Sequence, residues 1–249
     1  AAARGKGVCA MSTPPAGAGT GQKPDLEAIA RMRADHARWL ESDGAAGTRA
    51  DFSGMELSDV RFPGADLRRA RFADANLFRA DFAGAELSEA DFTGANMNRA
   101  DLAGSTLQRA VLDRTDLSDA ALGDARMEHA SLVEASLQRA WLGRAHLEHA
   151  NLTRADLHGA WVGRASLDRA NLEGAMLVGA EFPGSSFRNA SLRSAYFGGV
   201  ALADADLSGA DLGEVRNLTP AQLEAATLDE RTILPPELDL RAGKASAAG

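Results

Sequence analysis

The chain has little of several things that domains of its size use. One cysteine, Cys9, stands among 249 residues, so no internal disulfide can form, which fits a reducing compartment. Aromatic residues make up only 5%, and Ala and Leu dominate the apolar set. A core of Ala and Leu must be thin and regular, because neither fills wide spaces. Bases are the minority: 27 Lys and Arg against 35 Asp and Glu give a formal charge of −8. That balance argues against direct binding to a nucleic-acid backbone, which calls for a basic surface. It permits a basic partner, or imitation of an acidic polymer. No apolar run is long enough to span a bilayer and no signal-peptide core is present. A cytoplasmic protein without membrane contact is the expectation. The stretch GAGTGQK is not a phosphate loop, since Gln22 separates Gly21 from Lys23 and no Ser or Thr follows the lysine.

What the chain does have falls into sections. Residues 1–24 are rich in Ala, Gly, Pro, Ser and Thr and read as a disordered tail. Within 25–49, Pro24 and Asp25 signal a helix start. Leu26, Ile29, Ala30, Met32, His36, Trp39 and Leu40 recur at helical spacing, which predicts a capping helix over 25–42, ended near Gly44. From Ala50 the character changes. A Leu, Phe, Met or Val stands at every fifth position from Phe52 to Leu212, 33 times without interruption. Two residues before each sits a small residue, Ala in 27 cases; the exceptions are Met55, Val60, Ser105, Thr115, Ser185 and Val200.

An α-helix cannot use a period of five, because each step advances about 140° beyond a full turn and smears the leucines around the surface. A flat strand would point successive leucines to opposite faces. A short extended piece followed by a corner does fit. The Ala and Leu, two apart, both point inward, and the other three residues turn the chain. Four corners close a square of 20 residues, and coils stack at roughly 4.8 Å. The repeats ADFAG, ANLTR, ADLHG, ANLEG, ADLSG and ADLGE resemble the pentapeptide-repeat family. The resemblance implies an all-β solenoid: a right-handed quadrilateral β-helix, here of about eight coils over residues 50–215. Asp or Asn before the central residue is patchy, with Val111, Trp141, Trp161, Met176 and Tyr196 departing from it.

Open coil ends invite edge pairing, so caps are expected at both ends. In the section 216–240, Thr219, Pro220 and Gln222 make a capping-box start for a short helix over 220–227, with Leu234, Leu238 and Leu240 beside it. Residues 241–249 read as a disordered tail. Family resemblance also implies a possible homodimer through the C-terminal end.

Residues 20 apart share a column, so faces can be read. Trp141 and Trp161 are vertical neighbours on the third face with Arg144 and Arg164, the composition of a protein-binding hot spot. Gly143 and Gly163 lie beside them, and the plainer alternative is that the indoles cover the backbone there. Met176, Val178 and Tyr196 form a candidate dimer or partner patch on the second face. On the fourth, His129 and His149 with Glu148 form a weak candidate metal site, against which stands a solvated mixed-charge surface. No serine sits in a nucleophile elbow and no insertion forms a pocket. The expectation is a non-catalytic protein without cofactor, acting as a rigid surface for a protein partner. The alternative, implied by the resemblance, is a duplex-DNA mimic that binds a type II topoisomerase such as DNA gyrase. Residues 50–215 carry 25 acids and 16 bases, which suits it.

Overall fold

The computed structural model of the chain describes residues 25–238. The tails expected at 1–24 and 241–249, with Cys9 and Leu240, lie outside the described residues. From Asp51 to Tyr196, each residue preceding a central apolar residue bridges in parallel to the residue 20 positions later: Asp51 to Arg71, Glu56 to Asn76, Arg61 to Asp81, Asp66 to Glu86, and so on to Tyr196 and Arg216. Four ladders, offset by five residues, define a four-sided coil that closes every 20 residues. Each side contributes a single bridging residue, because the chain turns again after every central position. Continuous strands therefore do not form in the repeats.

The repeat 71–75 shows how the backbone is satisfied. Phe72 N–H donates to the Asp91 carbonyl (2.7 Å), Asp74 N–H to Thr93 (2.8 Å) and Arg71 N–H to Ala50 (3.0 Å). Ala75 N–H closes the corner on the Phe72 carbonyl at 3.0 Å. The amide just after each central residue is left over. In the repeats that keep the family acid or amide, that side chain accepts it: Asp91 Oδ1 takes Thr93 N–H at 3.0 Å, and Asn151 Oδ1 takes Thr153 N–H at 3.1 Å. The consensus Asp or Asn is thus a backbone acceptor. Where Ser131 replaces it, Asp113 of the preceding coil accepts Val133 N–H at 3.0 Å and the Ser131 hydroxyl at 2.5 Å. Asp168 does the same for Arg188 N–H (3.1 Å) and the Ser186 hydroxyl.

The interior follows the columns. Phe52, Phe72 and Phe92 stack with centroids 4.9 Å apart, and the Ala column is buried beside them. The polar exceptions are hydrogen-bonded inside: Ser105 Oγ donates to Leu102 O (2.7 Å), Thr115 Oγ1 to Phe92 O (2.8 Å) and Ser185 Oγ to Val162 O (2.5 Å). Buried hydroxyls are tolerated because their donors are used.

At the N-terminal end, helix α1 spans Leu26–Glu41, with Asp25 as N-cap accepting from Glu27 N–H (2.5 Å) and Ala28 N–H (3.3 Å). It packs on the first coil. Ile29 joins the core, Arg33 lies 5.5 Å over the Phe62 ring, and Nδ1 of the fully buried His36 accepts Ala50 N–H at 3.1 Å. The returning chain runs against the helix so closely that a Cβ at Gly47 (φ 74°) would lie 2.7 Å from Trp39 N. Only glycine fits there.

Burial lowers the His36 pKa from 6.5, and the Arg49 and Arg68 charges lower it further, while the Arg68 backbone and Asp66 oppose the shift. The unfolded chain therefore takes up the proton first as pH falls. The stabilisation from neutral His36 is complete above pH 6.5 and is lost progressively below it until the folded pKa is reached. Thermal melts should show stability declining from pH 7 to pH 5. His36→Gln, which keeps an acceptor and does not titrate, should flatten that decline; identical profiles for the two proteins would refute the assignment.

At the other end, helix α2 spans Pro220–Glu224, shorter than the expected 220–227. The reason is long-range. Ala225 O accepts Asp204 N–H at 2.8 Å, and Thr227 bridges Asp206, so these residues join the last coil instead of extending the helix. Ile233 bridges Asp211 likewise. Gln222 completes the capping box with Thr219 and also donates through Nε2 to the Phe197 and Val200 carbonyls (3.0 and 2.9 Å). Thr232 Oγ1 lies 3.1 Å from the Leu207 carbonyl oxygen. Leu234 and Leu238 pack against the core.

Candidate interaction faces

The third face carries the least side-chain relief. The positions following its central residues run Ala103, Gly123, Gly143, Gly163, Pro183 and Ala203, and Ala121 and Ala201 stand in its bridging column. Trp141 and Trp161 bridge each other there, with parallel rings 5.5 Å apart and 3° from coplanar. They occupy the position of the missing Asp or Asn acceptor and lean over the glycines. A Cβ at Gly123 would lie 2.6 Å from Trp141 Cε3, at Gly143 2.8 Å from Trp141 Cζ2, and at Gly163 2.5 Å from Trp161 Cζ2. The indoles are shingled across three coils. Trp141 remains 41% exposed and Trp161 is half-buried. The rings cover the backbone and still present an apolar surface. Gly123 belongs to the same arrangement, in the 20-residue column of Gly143 and Gly163. Arg144 is held by Asp124 of the preceding coil (Nε to Oδ1 2.7 Å), while Arg164 makes no ion pair among the described residues.

On the second face, Met176 is 40% exposed and bridges Tyr196. Val178 lies over Gly198, where a Cβ would be 3.8 Å from its methyls. Tyr196 is half-buried; its hydroxyl accepts from Arg216 Nη1 at 2.6 Å and its ring faces the same guanidinium at 5.1 Å. Met176 and Val178 are thus the apolar part of this patch.

On the fourth face the candidate ligands His129, His149 and Glu148 do not converge. Among the described residues, no group of three or more His, Cys, Asp or Glu side chains could hold a metal ion. His129 and His149 stack face to face, centroids 4.8 Å apart and 8° from coplanar. The rings show each other their π faces rather than aiming nitrogens at one point, and Glu148 Oε1 lies 3.3 Å from His146 Nδ1 instead. A polar cavity of about 640 Å³ lies between the end of α1 and this corner, lined by Asp43, Arg69, Glu89, Arg109 and His129. Its charges offset one another: Arg69 pairs with Glu89 (3.1 Å) and Asp43 (3.7 Å).

Segments between residues 48 and 216 match the family model for pentapeptide repeats, in eight copies. The chain belongs to the pentapeptide-repeat family. No curated protein matches it. Among solved structures, the chain is similar to HetL, a pentapeptide-repeat protein involved in heterocyst differentiation regulation from the cyanobacterium Nostoc sp. Strain PCC 7120, with 29% identity, 80% of this chain and 91% of that one covered, and a TM-score of 0.46. It is similar to a trypsin-treated variant of QnrB1, a plasmid-mediated fluoroquinolone resistance protein, with 18% identity, 80% and 98% covered, and a TM-score of 0.60. A pentapeptide-repeat protein from the Arabidopsis thaliana thylakoid lumen shares 29% identity over 43% of this chain and 70% of that one, with a TM-score of 0.25. The likeness to the QnrB1 variant, with the family match, carries the fold, a right-handed β-helix.

In this pentapeptide-repeat chain the acidic excess is broken up. Bases of one coil pair with acids of a neighbouring coil: Arg61 with Asp81 (3.3 Å), Arg139 with Asp119 (2.8 Å) and Arg154 with Glu134 (3.4 Å). Exposed pairs add little stability, but they interrupt the field along the rod. The bridging column of the third face, for example, runs Arg61, Asp81, Asp101, Ala121, Trp141, Trp161, Glu181, Ala201. No uninterrupted acidic stripe runs along it.

Proposed function

We propose that this protein is a non-catalytic, rigid interaction rod: a right-handed quadrilateral β-helix closed by helical caps, working in the cytoplasm and binding a protein partner through its third face. The supporting observation is the shingled Trp141–Trp161 pair on a surface of glycine, alanine and proline. Glycine, alanine and proline around the indole pair leave few flexible side chains to order there, so little conformational freedom is lost on docking. Aromatic anchors supply most of the binding energy at such surfaces. Affinity capture with the wild-type protein should recover a partner that Trp141→Ala/Trp161→Ala fails to hold, with a loss of roughly 2 kcal/mol or more. Both tryptophans point outward, so the double variant should keep its fold by circular dichroism. Equal capture by both proteins would defeat this reading.

A second reading, a DNA mimic acting on a type II topoisomerase, draws on the 25 acids and 16 bases of residues 50–215. The inter-coil ion pairs speak against it, since a mimic needs a continuous negative potential. Gyrase supercoiling assays with titrated protein and salt separate the two. Salt-sensitive inhibition that survives the double Trp substitution would replace the first reading with the second.

A further inference from the structure

We propose that the C-terminal cap carries a second docking site, built for a basic amphipathic helix of a partner protein. The site is a cleft of about 670 Å³ beside α2. Its floor includes Leu228, Leu234 and Leu238, which are half-buried and packed on the end of the core. Its rim is Glu224, Asp229, Glu230 and Glu237. The one base within this segment, Arg231, is already held by Asp229 at 2.9 Å. Burial pushes the Asp229 carboxyl up, but the Gly209 and Arg231 amides, the Arg231 guanidinium and the Thr232 hydroxyl hold it at about 2.

The chemistry of the occupant follows from the floor and the rim. Leucines at the bottom of an open cleft match the i, i+3, i+4 and i+7 anchors of an amphipathic helix. The exposed Glu224 and Glu237 at the edge match Lys or Arg flanking those anchors, since complementary rims steer encounter and exclude wrong partners. A second copy of this chain fits poorly. A two-fold contact brings a surface onto itself, and here it would set one acidic rim against another. The cleft lies at the end of the rod and does not depend on the third face.

The test is fluorescence anisotropy of the full-length protein against a labelled helical peptide of about 18 residues, Leu on one face and Lys on the other. Saturable binding at micromolar Kd is expected. Glu224→Lys/Glu237→Lys and, separately, Leu234→Ser should each weaken it about tenfold or more. Trp141→Ala/Trp161→Ala should leave it unchanged, which separates this site from the one proposed above. Hydrogen exchange should slow at 223–238 on binding. Equal binding of a scrambled peptide, or no effect of the rim reversal, would mean general attraction to an acidic rod and overturn the proposal. So would absence of saturable binding below about 100 µM, or a homodimer in sedimentation that Leu234→Ser dissolves.

Discussion

Phe72→Ala should lower the unfolding free energy by about 3–5 kcal/mol, at the upper end for a buried phenylalanine. Phe72 is fully buried and touches rings on two axes. Phe52 and Phe92 stack above and below it at 4.9 Å, and Phe82 meets it edge-on at 5.7 Å and 87°. The cost of a cavity depends on how far its walls collapse, and these walls cannot. The spacing of the coils is held by the backbone, through Phe52 N–H to Arg71 O at 2.8 Å and Phe72 N–H to Asp91 O at 2.7 Å. Against a typical total of roughly 5–15 kcal/mol, such a loss should be plain in urea unfolding as a lower midpoint at similar slope. Phe182→Ala provides the comparison: its ring contact is with Phe187 at 5.0 Å, so the loss should be smaller. A loss below about 1.5 kcal/mol for Phe72→Ala would mean that the neighbours move into the space and that the ladder is softer than its bonding implies.

The inward columns were legible in the sequence because a period of five is incompatible with both a helix and a flat strand. Only a cornered coil brings Phe52, Leu57 and Phe62 to one interior. The role of Asp and Asn was not legible in the same way. It depends on which amide the ladders leave unused, and that amide is known only once Asp74 and Arg71 have found their partners in neighbouring coils. The true length of α2 depends on Ala225 and Thr227 returning to the last coil, a contact between segments about 21 residues apart that local capping signals do not contain. Gly47 is invisible for the same reason, since its constraint is the back of α1. For the candidate site, the column arithmetic placed Trp141 over Trp161 and His129 over His149 correctly. It could not say how the rings lie, and ring orientation is what turned the histidines into a stack rather than a metal site.

Removing twenty residues should harm this protein less than removing one. Deleting 91–110 takes out one whole coil. Val111 then replaces Asp91 opposite Arg71, Leu112 replaces Phe92 over Phe72, and every later column keeps its face. Both caps remain, and each coil contacts mainly its neighbours, so the rest of the rod should fold as before. With about one coil in eight gone, the denaturant slope should fall by roughly an eighth, because it tracks the surface exposed on unfolding. Deleting Ala103 alone does the opposite. Its corner loses the residue between Leu102 and the left-handed Gly104 (φ 64°), whose amide serves Gly123 O at 2.8 Å. Either that corner is destroyed, with its bonds to the next coil, or every inward residue after it is displaced and buried leucines turn outward. Urea unfolding of the two variants side by side decides the matter. The coil deletion should unfold cooperatively near the wild-type midpoint, and the single deletion should unfold at markedly lower urea or lose its cooperative transition. The reverse order would show that the 20-residue closure is not what holds the rod together.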